Sequence, residues 1–164
     1  MRYKFLQKDA AALEIRKQEL FKEREFLAKD AALHVSQSSE SWHDNAGFEV
    51  SLRQQSDLAK RIDEVRKLEG NIEIVEPSSS YKQAGIGSEI EIKDLQTGET
   101  SKRTISSYRV FDKIMNNEIP YSSPIGSKFL NTRVGSTQRI MLPGREVQYQ
   151  LISVSPSGGL IKRQ

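Results

Sequence analysis

The chain has 164 residues, of which 36% are hydrophobic and 29% are charged. A chain of this length suits one ordinary domain or two small ones, and each can bury only a modest core. There is no cysteine, which excludes disulfide bonds and thiolate metal sites. No apolar run approaches the roughly 20 residues that a membrane-spanning helix needs, and the first residues lack the apolar core of a signal peptide. We therefore expect a soluble, cytoplasmic protein that does not contact membranes.

The two halves of the chain differ in charge. Residues 1–76 carry 13 basic and 15 acidic side chains, whereas residues 77–164 carry 12 basic and 7 acidic ones. The positive excess of the second half suits an anionic partner, either nucleic acid or an acidic protein surface. A solvated surface would have the same composition, so the charge alone does not choose between these interpretations.

Two long segments have the pattern of amphipathic helices. Residues 8–35 contain no proline or glycine. Leucines recur every seven residues from just before this segment into it, at Leu6, Leu13, Leu20 and Leu27. Residues 45–69 have apolar side chains at spacings of three, four and seven, namely Phe48, Leu52, Ala59, Ile62 and Val65. Because each helix offers one apolar stripe, the two are predicted to pack as an antiparallel coiled-coil hairpin.

The connection between the two helices, residues 36–45, is rich in serine and in residues that compete with helical hydrogen bonding. Asp44 or Asn45 can cap the second helix by accepting a hydrogen bond from a free backbone amide. At about 1.5 Å per residue, the first helix would extend about 42 Å. The connection is therefore predicted to be the tip of a projecting arm.

After Gly70 the pattern changes from helix to strand, and we predict a hairpin arm at residues 1–76 and a β-rich domain at residues 77–164. One short helix is predicted at residues 123–130, because Ser123 can serve as N-cap and Pro124 stands at the first helical position. The predicted fold class is α+β. The segments with strand character are residues 71–77, 88–94, 101–111, 138–144 and 145–154.

Motifs in both halves resemble those of the Gre family of bacterial transcript-cleavage factors, and the resemblance covers nearly all of the chain. In the first half the motif is Asp44-Asn45-Ala46 followed by Phe48. In the second half the motifs are Gly87-Ser88, Thr97-Gly98-Glu99, Ser123-Pro124-Ile125-Gly126, Val134-Gly135 and Pro143 followed by Tyr149. The resemblance implies an antiparallel coiled-coil arm followed by an FKBP-like β-rich domain with one short helix.

The resemblance also implies a function as an accessory factor of RNA polymerase, not as an enzyme. The arm of such factors enters the secondary channel of the polymerase. There the tip carboxylates help to hold a second Mg²⁺ and to orient the water that cleaves backtracked RNA. Ser123, Pro124, Ile125 and Gly126 are then expected to dock on the polymerase surface. The expected partners are RNA polymerase, at its channel and rim, and the 3′ end of the nascent RNA, and the protein is expected to be a monomer.

The tip departs from the family pattern of two acids three residues apart, because the corresponding positions are Ser41 and Asp44. Asp44 keeps one carboxylate, and Glu40 is the second candidate for recruiting Mg²⁺, which prefers oxygen ligands. The ion would be shared with the polymerase, and no cofactor is expected to bind the factor alone. Ser41, Trp42 and His43 are candidate tip contacts. The alternative function is a regulator or inhibitor that occupies the channel without supporting cleavage.

Other charged residues have both a functional and an ordinary interpretation. Asp44 could serve only as a helix cap, and Glu40 could be a solvated loop acid. Lys29 and Arg53 flank the tip and are candidates for contact with RNA phosphate or polymerase carboxylates, although solvated helix surfaces carry such charges too. His34 is nine residues from the tip histidine, with no second set of ligands, so no zinc site is predicted. A coiled-coil adaptor unrelated to transcription is a third hypothesis.

Overall fold

The computed structural model describes residues 2–37, 46–109 and 117–156, and it confirms the α+β class. Two long helices precede a β-sheet region that includes one short helix. Within the described residues, no helix is both long enough and apolar enough to span a bilayer. The elements in chain order are β1 (Tyr3–Phe5), α1 (Gln7–Gln37), α2 (Ala46–Glu69), β2 (Ile72–Ile74), β3 (Ser88–Asp94), β4 (Thr100–Ser106), β5 (Glu118–Pro120), α3 (Pro124–Phe129), β6 (Thr137–Leu142) and β7 (Arg145–Pro156).

The chain divides into two compact units. The helical unit comprises residues 13–72, and the β-rich unit comprises residues 2–12 together with residues 73–164. The predicted division into residues 1–76 and 77–164 differs from this one mainly at the N-terminus. There, β1 and the first turns of α1 contribute to the β-rich unit, although the sequence pattern alone assigns these residues to the arm.

The helical unit is built from the antiparallel pair α1 and α2. Lys17 Nζ, near the start of α1, donates a hydrogen bond to Glu69 at the end of α2 (2.6 Å). Farther along, the Arg61 guanidinium donates to both carboxylate oxygens of Glu23 at 3.2 and 3.3 Å. The Glu69 carboxylate raises the pKa of Lys17 above its ordinary 10.5. This favourable interaction is therefore present below pH 10.5 and is lost only as the pH rises through the raised value.

The buried stripe of α2 differs from the predicted one. Leu52 is 49% exposed and Ala59 is also exposed, so their prediction as part of the hairpin core is wrong. Six residues separate Leu52 from the buried Leu58, which places the two side chains about 120° apart around the helix. Phe48 is partly buried. The buried apolar residues of the helical unit are Leu13, Leu20, Leu58, Ile62, Val65 and Leu68.

The β-rich unit contains a five-stranded sheet in the order β5-β4-β3-β7-β6. Neighbouring strands are antiparallel except β4 and β5, which are parallel. Phe129 of α3 packs into the core on one face of the sheet. The predicted strands at residues 88–94, 138–144 and 145–154 are present with small changes at their ends, and the predicted helix at residues 123–130 corresponds to α3. The buried core consists of Ala84, Ile90, Ile92, Ile105, Phe129, Ile140, Leu151 and Val154.

Residues 2–12 complete the β-rich unit. Phe5 is fully buried and Leu6 is 6% exposed. The backbone amide of Leu6 donates to Ser107 Oγ at 2.8 Å, and the Ser107 hydroxyl donates in turn to the buried carboxylate of Asp9. The carboxylate also lies in the first turn of α1, where the helix dipole favours negative charge. This segment was not predicted to belong to the second half because its partners lie about a hundred residues away in sequence.

Candidate functional site

All five predicted tip residues lie outside the described part of the chain. Glu40, Ser41, Trp42, His43 and Asp44 belong to residues 38–45, which connect the end of α1 to the start of α2. The described helices nevertheless give the points from which the tip segment starts and to which it returns, namely the end of α1 at Gln37 and the start of α2 at Ala46. Because α1 and α2 run antiparallel, the last turn of α1 and the first turn of α2 belong to the same end of the helical unit.

Lys29 and Arg53 both have exposed side chains on the two helices that lead to the tip. Nine residues separate Lys29 from the buried Leu20, so Lys29 projects from the side of α1 about 180° away from the helix contact. Arg53 lies five residues before the buried Leu58, about 140° away from it. Neither cation has an ion pair within residues 2–37, 46–109 and 117–156. Both are therefore open to an outside anion, and their predicted contacts stay predictions.

The described residues hold no ready-made metal site. Among them, no three His, Asp or Glu side chains lie close enough together to hold a metal ion. The acids that flank the tip, Asp30 on α1 and Glu49 on α2, are single carboxylates on separate helices. The roles of Glu40 and Asp44 in holding a metal ion therefore stay predictions.

The predicted docking segment is used by the fold itself. Ser123 Oγ accepts a hydrogen bond from Gly126 N at 3.0 Å and so caps α3. The side chain of Ile125 packs partly buried against the sheet core. A Cβ added at Gly126 would lie 2.1 Å from Pro120 O, so only glycine fits there. Pro124 is exposed and remains available to a partner.

A cleft in the β-rich unit was not anticipated from the sequence. It has a volume of about 450 Å³ and is bordered by residues from four separate segments. An ion pair between Lys8 and Glu118 occupies part of its wall. No local sequence signal could have revealed it, because the cleft forms only when residues from both ends of the chain come together. Its lining residues are Leu6, Gln7, Lys8, Val75, Glu76, Pro77, Thr104 and Glu118.

Residues 78–156 match the family model described as transcription elongation factor, GreA/GreB, C-term. Residues 78–156 thus form a domain of the GreA/GreB C-terminal type. Relatives named transcription elongation factor GreA are 28% identical over 112 residues in Thermotoga neapolitana and 29% identical over 111 residues in Thermotoga maritima. These alignments cover 68% of this chain and 71% and 70% of the two relatives. The family model and both relatives are thus named for transcription elongation.

Among solved structures, the chain is similar to GreA factor homolog 1 (Gfh1) of Thermus thermophilus, with a TM-score of 0.44 and 21% identity. That alignment covers 94% of this chain and 99% of the solved one. It is also similar to a prokaryotic transcription elongation factor GreA/GreB from Nitrosomonas europaea, with a TM-score of 0.41 and 15% identity. The second alignment covers 94% and 98% of the two chains.

The GreA/GreB match contains all of β3 to β7 and α3, and with them the whole five-stranded sheet. It also contains the predicted docking segment at residues 123–126. It does not contain residues 2–12, although Phe5 and Leu6 are buried within the same unit. In this chain, the GreA/GreB domain therefore folds together with the N-terminal segment.

Proposed function

We propose that the protein is a transcription elongation factor that binds RNA polymerase and inserts the tip of its helical hairpin, residues 36–45, into the secondary channel. The observation that carries this proposal is the GreA/GreB domain at residues 78–156. The antiparallel pair of helices that precedes it supports the role of an arm, since the part of α1 in the helical unit, residues 13–37, extends about 38 Å. Such a length can deliver a short acidic segment deep into a partner.

At the polymerase active site, Asp44 and Glu40 would add carboxylate oxygens to those that the polymerase itself provides. Oxygen donors of this kind suit Mg²⁺, which is a hard cation. When bound, the ion supplies Lewis-acid stabilisation of the phosphate oxygens at the scissile bond in backtracked RNA. Asp44 and Glu40 would also accept hydrogen bonds from the attacking water. The factor is therefore an accessory protein that stimulates cleavage by the polymerase, and it binds no cofactor alone.

The remaining candidate residues have supporting roles in this proposal. Ser41, Trp42 and His43 would contact the walls of the channel or the 3′ end of the nascent RNA. Lys29 and Arg53, whose ammonium and guanidinium groups are exposed, would meet RNA phosphate or polymerase carboxylates. Docking at the rim of the channel would use the exposed Pro124, with α3 held in place by the Ser123 cap.

The decisive experiment measures shortening of the RNA in stalled, backtracked elongation complexes with saturating factor and Mg²⁺. We expect cleavage well above that of polymerase alone, a large loss for Asp44→Ala and a smaller loss for Glu40→Ala. Asp57→Ala is the matched control, because Asp57 is an exposed acid of α2 that pairs only with Lys60 within the described residues. Absence of cleavage with the unaltered factor, when binding is saturated, would remove the cleavage function.

Ser41 favours a second candidate function, a channel-binding regulator that does not support cleavage. The family resemblance implies an acid at this position, and serine is only a weak neutral ligand. The regulator would inhibit initiation or elongation, and its inhibition would persist in Asp44→Ala. Ser41→Asp separates the two functions in the cleavage assay. A large gain indicates that the natural tip is deficient, whereas an unchanged rate indicates that Asp44 and Glu40 already suffice.

A further inference from the structure

Two neighbouring segments of the β-rich unit carry basic residues, and backbone hydrogen bonds join the two segments. They are residues 80–84 and residues 128–134, the second of which begins in the last turn of α3, and we refer to them together as the basic ribbon. Gln83 pairs with Arg133 in an antiparallel bridge, and its side-chain amide donates to Asn131 O at 2.7 Å. Three backbone hydrogen bonds join the segments, namely Val134 N to Lys82 O (3.0 Å), Ala84 N to Thr132 O (2.9 Å) and Asn131 N to Ala84 O (2.8 Å).

The turn that presents Lys82 is also fixed from within. Ser80 Oγ accepts hydrogen bonds from Lys82 N at 3.2 Å and from Gln83 N at 3.0 Å. The backbone on both sides of Lys82 and Arg133 is therefore hydrogen-bonded before any partner arrives. A surface whose backbone is already ordered loses less conformational entropy on binding.

The charge on the basic ribbon lacks the compensation found elsewhere in the same unit. Residues 77–88 and 119–145 contain five basic residues and no aspartate or glutamate. Lys8 and Lys102 pair with Glu118 and Glu89, respectively. Within the described part of the chain, by contrast, the exposed cations of the basic ribbon have no carboxylate partner; they are Lys82, Lys128 and Arg133.

An exposed aromatic ring accompanies these cations. Tyr81, next to Lys82, is 70% exposed and contributes nothing to the buried core. Proteins that bind single-stranded nucleic acid combine a positive surface along the phosphates with aromatic rings on which bases stack. An acidic protein surface would also satisfy the cations, and tyrosine is common in protein interfaces as well, so such a surface is the competing partner in the test.

We propose that the basic ribbon binds single-stranded nucleic acid. Lys82, Lys128 and Arg133 contact the phosphodiester backbone, and the ring of Tyr81 stacks on a base. All four residues belong to the β-rich unit, so this contact uses none of the tip residues assigned to RNA cleavage. We expect binding without polymerase, so the contact can be tested with the factor alone.

The test measures fluorescence anisotropy of a labelled, mixed-sequence single strand of about 20 nucleotides, as DNA and as RNA, titrated with the full chain at about 50 mM salt and above. We expect saturable binding that weakens as salt rises. Lys82→Glu together with Arg133→Glu is expected to weaken binding by at least about tenfold. Because single strands lose about 0.7 in salt slope for each phosphate contact removed, the slope should fall by about 1.4.

Two further variants separate specific contact from general attraction. Arg139→Glu with Arg145→Glu makes the same change in net charge on β6 and β7, and it should weaken binding by less than about threefold at physiological salt, where screening acts over about 8 Å. Tyr81→Leu should weaken binding severalfold and leave the salt slope unchanged. Thermal unfolding followed by circular dichroism checks that every variant is folded.

Several results would overturn the proposal. These are absence of binding at low salt, unchanged binding in the Lys82/Arg133 variant, and an equal loss in the Arg139/Arg145 variant. If the Lys82/Arg133 variant lost binding to polymerase but kept binding to the oligonucleotide, the partner of the basic ribbon would be an acidic protein surface instead. None of these results bears on the tip acids, so this proposal and the cleavage function can fail independently.

Discussion

At the scale of single residues, a contact with the backbone requires glycine at position 126. Gly126 lies in residues 123–126, the segment predicted to dock on RNA polymerase. The glycine lies against the backbone of the preceding turn, and an added Cβ would be 2.1 Å from Pro120 O and 2.9 Å from Tyr121 Cα. Neither of these backbone atoms can move away without disturbing β5 or the turn before α3. The glycine is therefore required by the fold whether or not the segment docks on polymerase.

We predict that Gly126→Ala lowers the free energy of unfolding of the β-rich unit by about 1–3 kcal/mol, the usual cost of overpacking a tight site. Urea unfolding followed by tyrosine fluorescence measures this change. Gly70→Ala is the control, because a Cβ there meets nothing within 4 Å. If the Gly126 variant were as stable as the control, the turn would relax freely around the added Cβ. The conclusion that the fold requires glycine at this position would then be wrong.

The sequence predicts the local part of this segment but not the tertiary part. Ser123 and Pro124 predict the start of α3 because capping and a fixed φ act within a few residues. The need for glycine at position 126 comes from Pro120 O, whose approach depends on where β5 pairs with β4. β5 itself has only three residues and was not predicted. The roles of the tip residues stay predictions, since the described residues do not include them.

At the scale of elements, the register of α2 against α1 decides which leucines stabilise the hairpin. Leu58 is 1% exposed and lies in the helix contact, whereas Leu52 is 49% exposed. The sequence of α2 offers two overlapping apolar stripes, and both include Ile62 and Val65. The choice between them depends on how α1 packs, so helical periodicity predicted the helix correctly and two of its core positions incorrectly.

We predict that Leu58→Ala destabilises the helical unit by about 2–5 kcal/mol, because truncation leaves a cavity in the seam. Leu52→Ala makes the same chemical change at an exposed position and should cost less than about 1 kcal/mol. Thermal unfolding followed by helical circular dichroism compares the two variants. Equal destabilisation, or a larger effect at Leu52, would favour the stripe predicted from sequence over the one in the structure.

At the scale of the whole molecule, the β-rich unit depends on contacts between residues that lie far apart in the sequence. Leu6 and Ser107, which share a hydrogen bond, are 101 residues apart, and Lys8 and Glu118, which form an ion pair, are 110 residues apart. Sequence patterns report on neighbours within one helix or strand, so neither contact could be predicted from them. The family match has the same limit, because it begins at residue 78.

We predict that a fragment of residues 73–164 unfolds much more readily than the same unit in the full chain. Loss of the buried side chains of Phe5 and Leu6 alone should cost about 3–5 kcal/mol or more. A fusion that joins residues 2–12 to residue 73 through a flexible glycine-serine linker should restore cooperative urea unfolding. The same fusion with Phe5→Ala and Leu6→Ala is the control and should not. An isolated fragment as stable as the fusion would show that residues 2–12 are dispensable.

The placement of residues 2–12 also has a consequence for biosynthesis. These residues leave the ribosome well before their partners, such as Ser107 and Tyr121, which follow more than a hundred residues later. At about 5–20 residues per second, Phe5 and Leu6 wait roughly 5–20 s for the strands that cover them. Residues 13–72 can pair as helices during that interval. Phe5 and Leu6 are thus buried long after they are synthesised, which makes this nascent segment a natural substrate for chaperones.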